Sequence, residues 1–130
     1  MQFNKLSIVF ILVITLIACS KENEESFLPT AEIVIESPIK NSVIHPGDTI
    51  YIQGHATSAT GLHGYEIAIR KPGEANLYFQ HFHEHANTLQ LEDKWKNIVT
   101  QPGDLEVFIS IILDHHDRRK NVSIPLQVRN

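Results

Sequence analysis

Apolar and polar residues alternate through most of the chain beyond residue 30. In DLEVFISIILD, residues 104–114, Leu105, Val107, Ile109, Ile111 and Leu113 share one face. Glu106, Ser110 and Asp114 lie opposite. NVSIPLQV, residues 121–128, repeats the pattern with Val122, Ile124, Leu126 and Val128, and its Pro125 faces outward, as suits an edge strand. Ile33 and Ile35, Ile50 and Ile52, Tyr65, Ile67 and Ile69, and Leu89 and Leu91 mark four more inward faces. NLYFQHF, residues 76–82, is apolar on both sides, so either Leu77 and Phe79 or Tyr78 and Phe82 could be buried. A period of two is the signature of half-buried strands, and no long stretch has a helical period.

About seven short strands result, separated by turn signals such as HPGD, KPGE and QPGD. That spacing predicts an all-β fold, an antiparallel β-sandwich of the immunoglobulin type. Its expected core includes Val107, Ile109, Ile111, Ile124 and Leu126. The segments around SP…GDTI.I.G.A…GL..YEI.I carry a further resemblance. Here these residues are Ser37, Pro38, Gly47, Asp48, Thr49, Ile50, Ile52, Gly54, Ala56, Gly61, Leu62, Tyr65, Glu66, Ile67 and Ile69. They resemble immunoglobulin-like domains of small bacterial lipoproteins, among which a group with histidines in its loops is the most similar. The resemblance implies a fold and a location, not an activity. The paired cysteines of antibody domains are missing.

The first residues have a different character. Lys5 precedes LSIVFILVITLI, residues 6–17, a run of twelve residues with no charge. A helix needs about 20 such residues to span a hydrocarbon core, so this run suits the apolar segment of a secretory signal. It ends in LIAC, with Ala18 directly before Cys19. This resembles the lipobox of bacterial lipoproteins and implies cleavage before Cys19 and a lipid on its thiol. The next residues, SKENEES, are polar and net acidic and resemble the surface-export signal of lipoproteins in the Bacteroidetes group. The expected organisation is a signal peptide at 1–18, a lipidated cysteine and flexible tether at 19–30, and an immunoglobulin-like domain at 31–130. The expected location is the outer membrane or cell surface, with the membrane reached through the lipid on Cys19.

Composition narrows the chemistry. Cys19 is the only cysteine, so the domain has no disulfide and relies on its core. The formal charge of −4 becomes −5 once Lys5 leaves with the leader. No basic stripe marks a nucleic-acid partner.

The eight histidines are the remaining signal. HFHEH, residues 81–85, sets His81, His83 and His85 at alternate positions. If each strand reverses the one before it, with one strand ending near His55, then His55, His63, His81, His83, His85, His115 and His116 all reach one pole. Only His45 is sent to the other, where it reads as a surface residue. Alternate residues on a strand share a face about 6.5–7 Å apart. Two such imidazoles can lean onto one ion at about 2.0–2.1 Å per bond. The expectation is a divalent-metal site with His81 and His83 as the primary pair. His55 or His63 and His115 or His116 would close it, with Glu84, Asp114 and Asp117 as oxygen ligands or supporting groups. Thiolate and mature methionine are lacking, so imidazole and carboxylate would suit zinc, Cu²⁺ or nickel.

Two alternatives stand beside it. Tyr51, Tyr65 and Phe82 near the same end could make the domain an adhesion or accessory module for protein or glycan without metal. FHEHANT, residues 82–88, resembles the histidine strand of copper–zinc superoxide dismutase, which would imply a small metalloenzyme. That resemblance stops at these residues, and the family's cysteine pair and long zinc loop are missing. No Ser-His-Asp spacing stands out, and Glu66 and Glu92 read as solvated carboxylates on exposed faces, so no catalytic residue is assigned.

Overall fold

The computed structural model describes residues 28–130. The expected signal peptide, Cys19 and most of the expected tether lie outside the described residues. Eight strands follow in order: β1 Glu32–Ser37, β2 Val43–Ile44, β3 Thr49–Leu62, β4 Gly64–Arg70, β5 Asn76–Phe82, β6 Ala86–Lys96, β7 Gly103–Ile112 and β8 Arg119–Val128. They form a three-stranded sheet, β1-β3-β6, and a five-stranded sheet, β2-β8-β7-β4-β5. Every pairing is antiparallel except that of β2 with β8. Two such sheets packed over one core make an immunoglobulin-like β-sandwich.

The alternating residues build that core. Val107, Ile109 and Ile111 of β7 are fully buried, with Ile124 and Leu126 beside them on β8. Ile50 and Ile52, Ile67 and Ile69, and Leu89 and Leu91 close the layer from β3, β4 and β6. A single buried side chain of this kind contributes about 1.5–3 kcal/mol. Pro125 takes the position its chemistry allows. Its carbonyl accepts the Asn41 N–H at 2.7 Å, on the side away from β7. The ring nitrogen faces that same side, so the β7–β8 ladder loses no donor, but β8 is not the edge strand that Pro125 suggested: β2 pairs with it on that side, at Gln127 and Val128.

Two details were not legible in the alternation. β2 is only two residues long. β3 runs fourteen residues, past His55 to Leu62. On β5 the ambiguity resolves toward Tyr78 and Phe82, which pack on the core, while Leu77 and Phe79 face solvent. Tyr78 is held there by its hydroxyl, which donates to Asp93 at 2.8 Å.

Candidate metal centre

One pole of the sandwich gathers three chain connections: the single residue between β3 and β4, the link from β5 to β6, and the turn from β7 to β8. His63 is the first of these. Its N–H donates to the Ile112 carbonyl at 2.9 Å, which pins it beside the end of β7. The third is closed by Leu113 N–H donating to the Arg118 carbonyl at 2.7 Å. Inside it, Asp114 Oδ1 accepts the N–H groups of His116 at 2.8 Å and Arg118 at 3.2 Å. Arg118 also pairs with Asp114 through its side chain. This carboxylate therefore shapes the turn that holds His115 over His63.

The approach of the second connection depends on Gly64. Its φ is +127°, a value L side chains rarely adopt. A Cβ there would lie 2.2 Å from the Phe82 carbonyl oxygen and 3.2 Å from the His83 Cα. The missing side chain lets residues 82–85 close over His63. Gly64→Ala should lower stability by more than about 1 kcal/mol and disperse the histidines. Thermal unfolding and the imidazole proton resonances would check this. An unchanged midpoint with unchanged resonances would show that the close approach is unimportant.

Four imidazoles meet at this pole. His63 lies 4.1 Å from His115 and 4.5 Å from His85, centroid to centroid, in edge-on contacts. His83 lies 4.7 Å from His85, and His85 lies 5.9 Å from His115. The Nε2 atoms of His83 and His85 are 3.0 Å apart, so one ring must donate an N–H to the other. His63 Nδ1 is buried and has no hydrogen-bond partner among the described residues. Loss of water around His63, then the His115 and His85 rings, hold its pKa below the ordinary histidine value against the opposing pull of Asp114. Among the described residues, no three His, Cys, Asp or Glu side chains stand at once where they could hold an ion. Loading the cluster therefore requires its rings to turn.

The other sequence candidates are placed differently. His55 is not at the pole. β3 continues beyond it, and His55 stands mid-strand on the outer face of the three-stranded sheet, paired in register with Val34 and Gln90. Its Nδ1 is 3.9 Å from Glu36. His81 sits opposite Glu66 on the outer face of the five-stranded sheet, and its Nδ1 is 3.1 Å from Glu66 Oε1. Its ring is 6.5 Å from that of His83. The nearest pair in HFHEH is thus His83 with His85, not His81 with His83. Strand alternation ends at Phe82, and the turn that follows sets the ring positions instead. His116 is exposed in the β7–β8 turn beside His115. His45 lies at the opposite pole, where buried Asn97 donates its side-chain N–H to the His45 carbonyl at 3.0 Å.

Glu66 is not a freely solvated carboxylate. It accepts from Arg119 at 2.5 and 3.2 Å as well as from His81. Burial opposes its ionisation, but the hydrogen bonds from Arg119 and His81 outweigh that and hold it below the usual carboxylate range. Arg119 reaches on to Asp117 at 2.7 Å. No sequence pattern announces this network, since its members come from three strands and a turn. Tyr65 is buried, as the alternation of β4 predicts, and stacks on Phe82 at 4.5 Å, making a floor beneath the pole; it therefore forms no surface patch with Tyr51, which stands opposite Lys94 on the three-stranded sheet.

No protein-family model matches the chain, and no curated protein matches it. Among solved structures, it is similar to fibronectin(III)-like modules of Clostridium thermocellum CbhA, at 17% identity and a TM-score of 0.49, covering 75% of this chain and 94% of that one. It is also similar to the CARDB domain of the PF1109 protein from Pyrococcus furiosus, described in complex with di-metal ions. That likeness has 13% identity and a TM-score of 0.47, covering 78% of this chain and 89% of the other. With TM-scores below 0.5, the strand order of this chain, not these likenesses, defines its fold.

Proposed function

We propose that the chain is a lipid-anchored lipoprotein whose immunoglobulin-like domain captures a divalent metal ion, zinc or Cu²⁺, at the imidazole cluster. The observation that supports this is the convergence of His63, His83, His85 and His115 from three connections, with a buried, unpartnered ring nitrogen on His63. An orphaned buried nitrogen is costly unless something meets it. A cation is one partner a neutral imidazole accepts. Tetrahedral bonds of 2.0–2.1 Å place two ligand nitrogens about 3.3–3.4 Å apart. The His83–His85 pair stands at 3.0 Å, close to that spacing, so an ion replacing the shared proton needs both rings to turn toward it with little change in their separation.

The surrounding charge favours the same class of ligand. The two connections that carry the cluster, residues 83–85 and 113–118, contain Glu84, Asp114 and Asp117 against Arg118, a net negative count. Four neutral donors in that field suit a dication, and with no thiolate the soft Cu(I) ion is poorly served. Full-length protein purified without a histidine tag and analysed for bound elements should carry stoichiometric zinc or copper. Metal-free protein should rebind either ion in calorimetry. Failure of both measurements would sink the metal reading.

The anchoring half of the proposal rests on residues 1–19. Cys19→Ser should abolish acylation and release the protein from membranes, which fractionation and metabolic lipid labelling would read. Full retention of the substituted protein through residues 6–17 would contradict a lipid anchor. Among the described residues, no helix is long and apolar enough to cross a membrane.

A further inference from the structure

The outer faces of the two sheets differ in one respect. On the five-stranded sheet the polar side chains are tied to one another: Arg70 to Glu106, Ser123 to Glu106, Ser110 to Asn121, and Arg119 to Glu66. On the three-stranded sheet the ties are fewer and looser, as in the 3.9 Å approach of His55 to Glu36. Tyr51, Gln53, Gln90 and Glu92 have no side-chain partner among the described residues, although register places Gln53 beside Glu92 and His55 beside Gln90. They line two adjoining clefts of about 400 and 240 Å³ that share Gln53 and Glu92. Tyr51 is 56% exposed, an aromatic ring on a mainly polar face whose other exposed apolar side chain is Val34 of β1, beside His55.

Local backbone irregularity shapes this surface. β1 bulges between Ile35 and Ser37, so Glu36 has no register partner on β3. Such bulges re-aim a side chain, and here the Glu36 carboxylate lines the smaller cleft. Gly54 permits the bulge: a Cβ on it would lie 2.2 Å from the Val34 carbonyl oxygen.

We propose that this face is a binding site for a neutral oligosaccharide, distinct from the histidine pole. The apolar C–H face of a pyranose packs flat on an aromatic ring such as Tyr51. Its hydroxyls both donate and accept, as the side-chain amides of Gln53 and Gln90 do, and carboxylates accept from them. Among the charged side chains that line the clefts on this face, Glu36 and Glu92 outnumber Lys94, whereas Asp93 turns inward to Tyr78, so acidic sugars and phosphates are disfavoured. A peptide extending a sheet would add beyond β1 or β6, the two edges of this sheet, whereas the clefts open on its face across β3.

The probe is a panel of neutral glucan, xylan, mannan and galactan oligomers, applied to full-length protein by calorimetry and on an array. At least one class should bind. Tyr51→Ala should weaken that binding by about tenfold or more, and Gln53→Ala should weaken it too, both with unchanged thermal unfolding because both side chains are exposed. His83→Ala/His85→Ala and chelator should leave it unchanged, which separates this site from the metal reading. Absence of binding to every oligomer at millimolar concentration would overturn the proposal. So would preferential binding of acidic oligomers or peptides, or undiminished affinity in Tyr51→Ala.

Discussion

Ile109→Asp should leave the domain unable to fold. Ile109 is fully buried at the centre of β7, between Ile67 of β4 and Val122 of β8. Its replacement loses about 1.5–3 kcal/mol of apolar burial. The carboxylate cannot remain charged there, since burial drives its pKa upward and holds it neutral. Even a neutral carboxyl without a partner costs roughly another 1–3 kcal/mol, and its misfit among branched side chains adds to that. A domain of about 100 residues has a total stability of only about 5–15 kcal/mol. No disulfide holds the chain while the core is damaged, because Cys19 is the only cysteine. Phe79→Asp makes the control: Phe79 is 49% exposed on the outer face of β5, so its loss should cost little. Far-ultraviolet circular dichroism and urea titration would compare the two. A cooperative transition for Ile109→Asp at the wild-type midpoint would refute the assignment of β7 to the core.

The core was legible because Leu105 to Leu113 on β7 and its turn, and Val122 to Val128 on β8, are apolar at every second residue, even though Phe108 and Ile112 are apolar on the opposite face of β7. The candidate site was legible only in part, for three physical reasons. TSATGL, residues 57–62, is small and polar, so it reads as a loop after His55. In the fold it is the irregular end of β3, held to β6 through Thr57 with Thr88 and again through Leu62 with Ala86. That extension carries the turn away from His55 and leaves His63 as the histidine that the β3–β4 connection brings to the pole. HFHEH reads as continuous alternation, but β5 stops at Phe82. Beyond it the close approach permitted by Gly64 decides the ring positions, and His85 replaces His81 in the cluster. The tie of His81 to Glu66 needs the register between β4 and β5, which one strand's sequence does not contain. The sequence brought histidines to one pole by topology alone; which of them touch is decided by a glycine and a capped turn.

Zinc should raise the thermal midpoint of the wild-type protein and leave that of His83→Ala/His85→Ala nearly unmoved. An ion that binds only the folded state stabilises it by about 2.7 kcal/mol at a hundredfold excess over its dissociation constant. For a domain of this size that corresponds to roughly 10–20 °C. The double variant removes the pair whose Nε2 atoms stand 3.0 Å apart, and both side chains are exposed, so the fold should survive. His63→Ala should also reduce the response, by removing the buried nitrogen. His45→Ala, at the other pole, and His55→Ala, mid-strand on the three-stranded sheet, should respond like wild type.

The response should also depend on pH, in a definite direction. Only neutral imidazole ligates, so protons compete and the zinc shift should fade as pH falls through about 6.5. His63 has a folded pKa below its unfolded one, so it stays neutral at pH values where free imidazole is already charged. For the metal-free protein the same shift has a sign of its own. Its unfolded state takes up the His63 proton first, so stability is fully present above the unfolded pKa and declines as pH drops through it toward the folded value. Differential scanning fluorimetry with zinc at several pH values would read both effects. Equal zinc shifts in wild type and double variant, or a shift that grows in acid, would remove the histidine pole as the metal site.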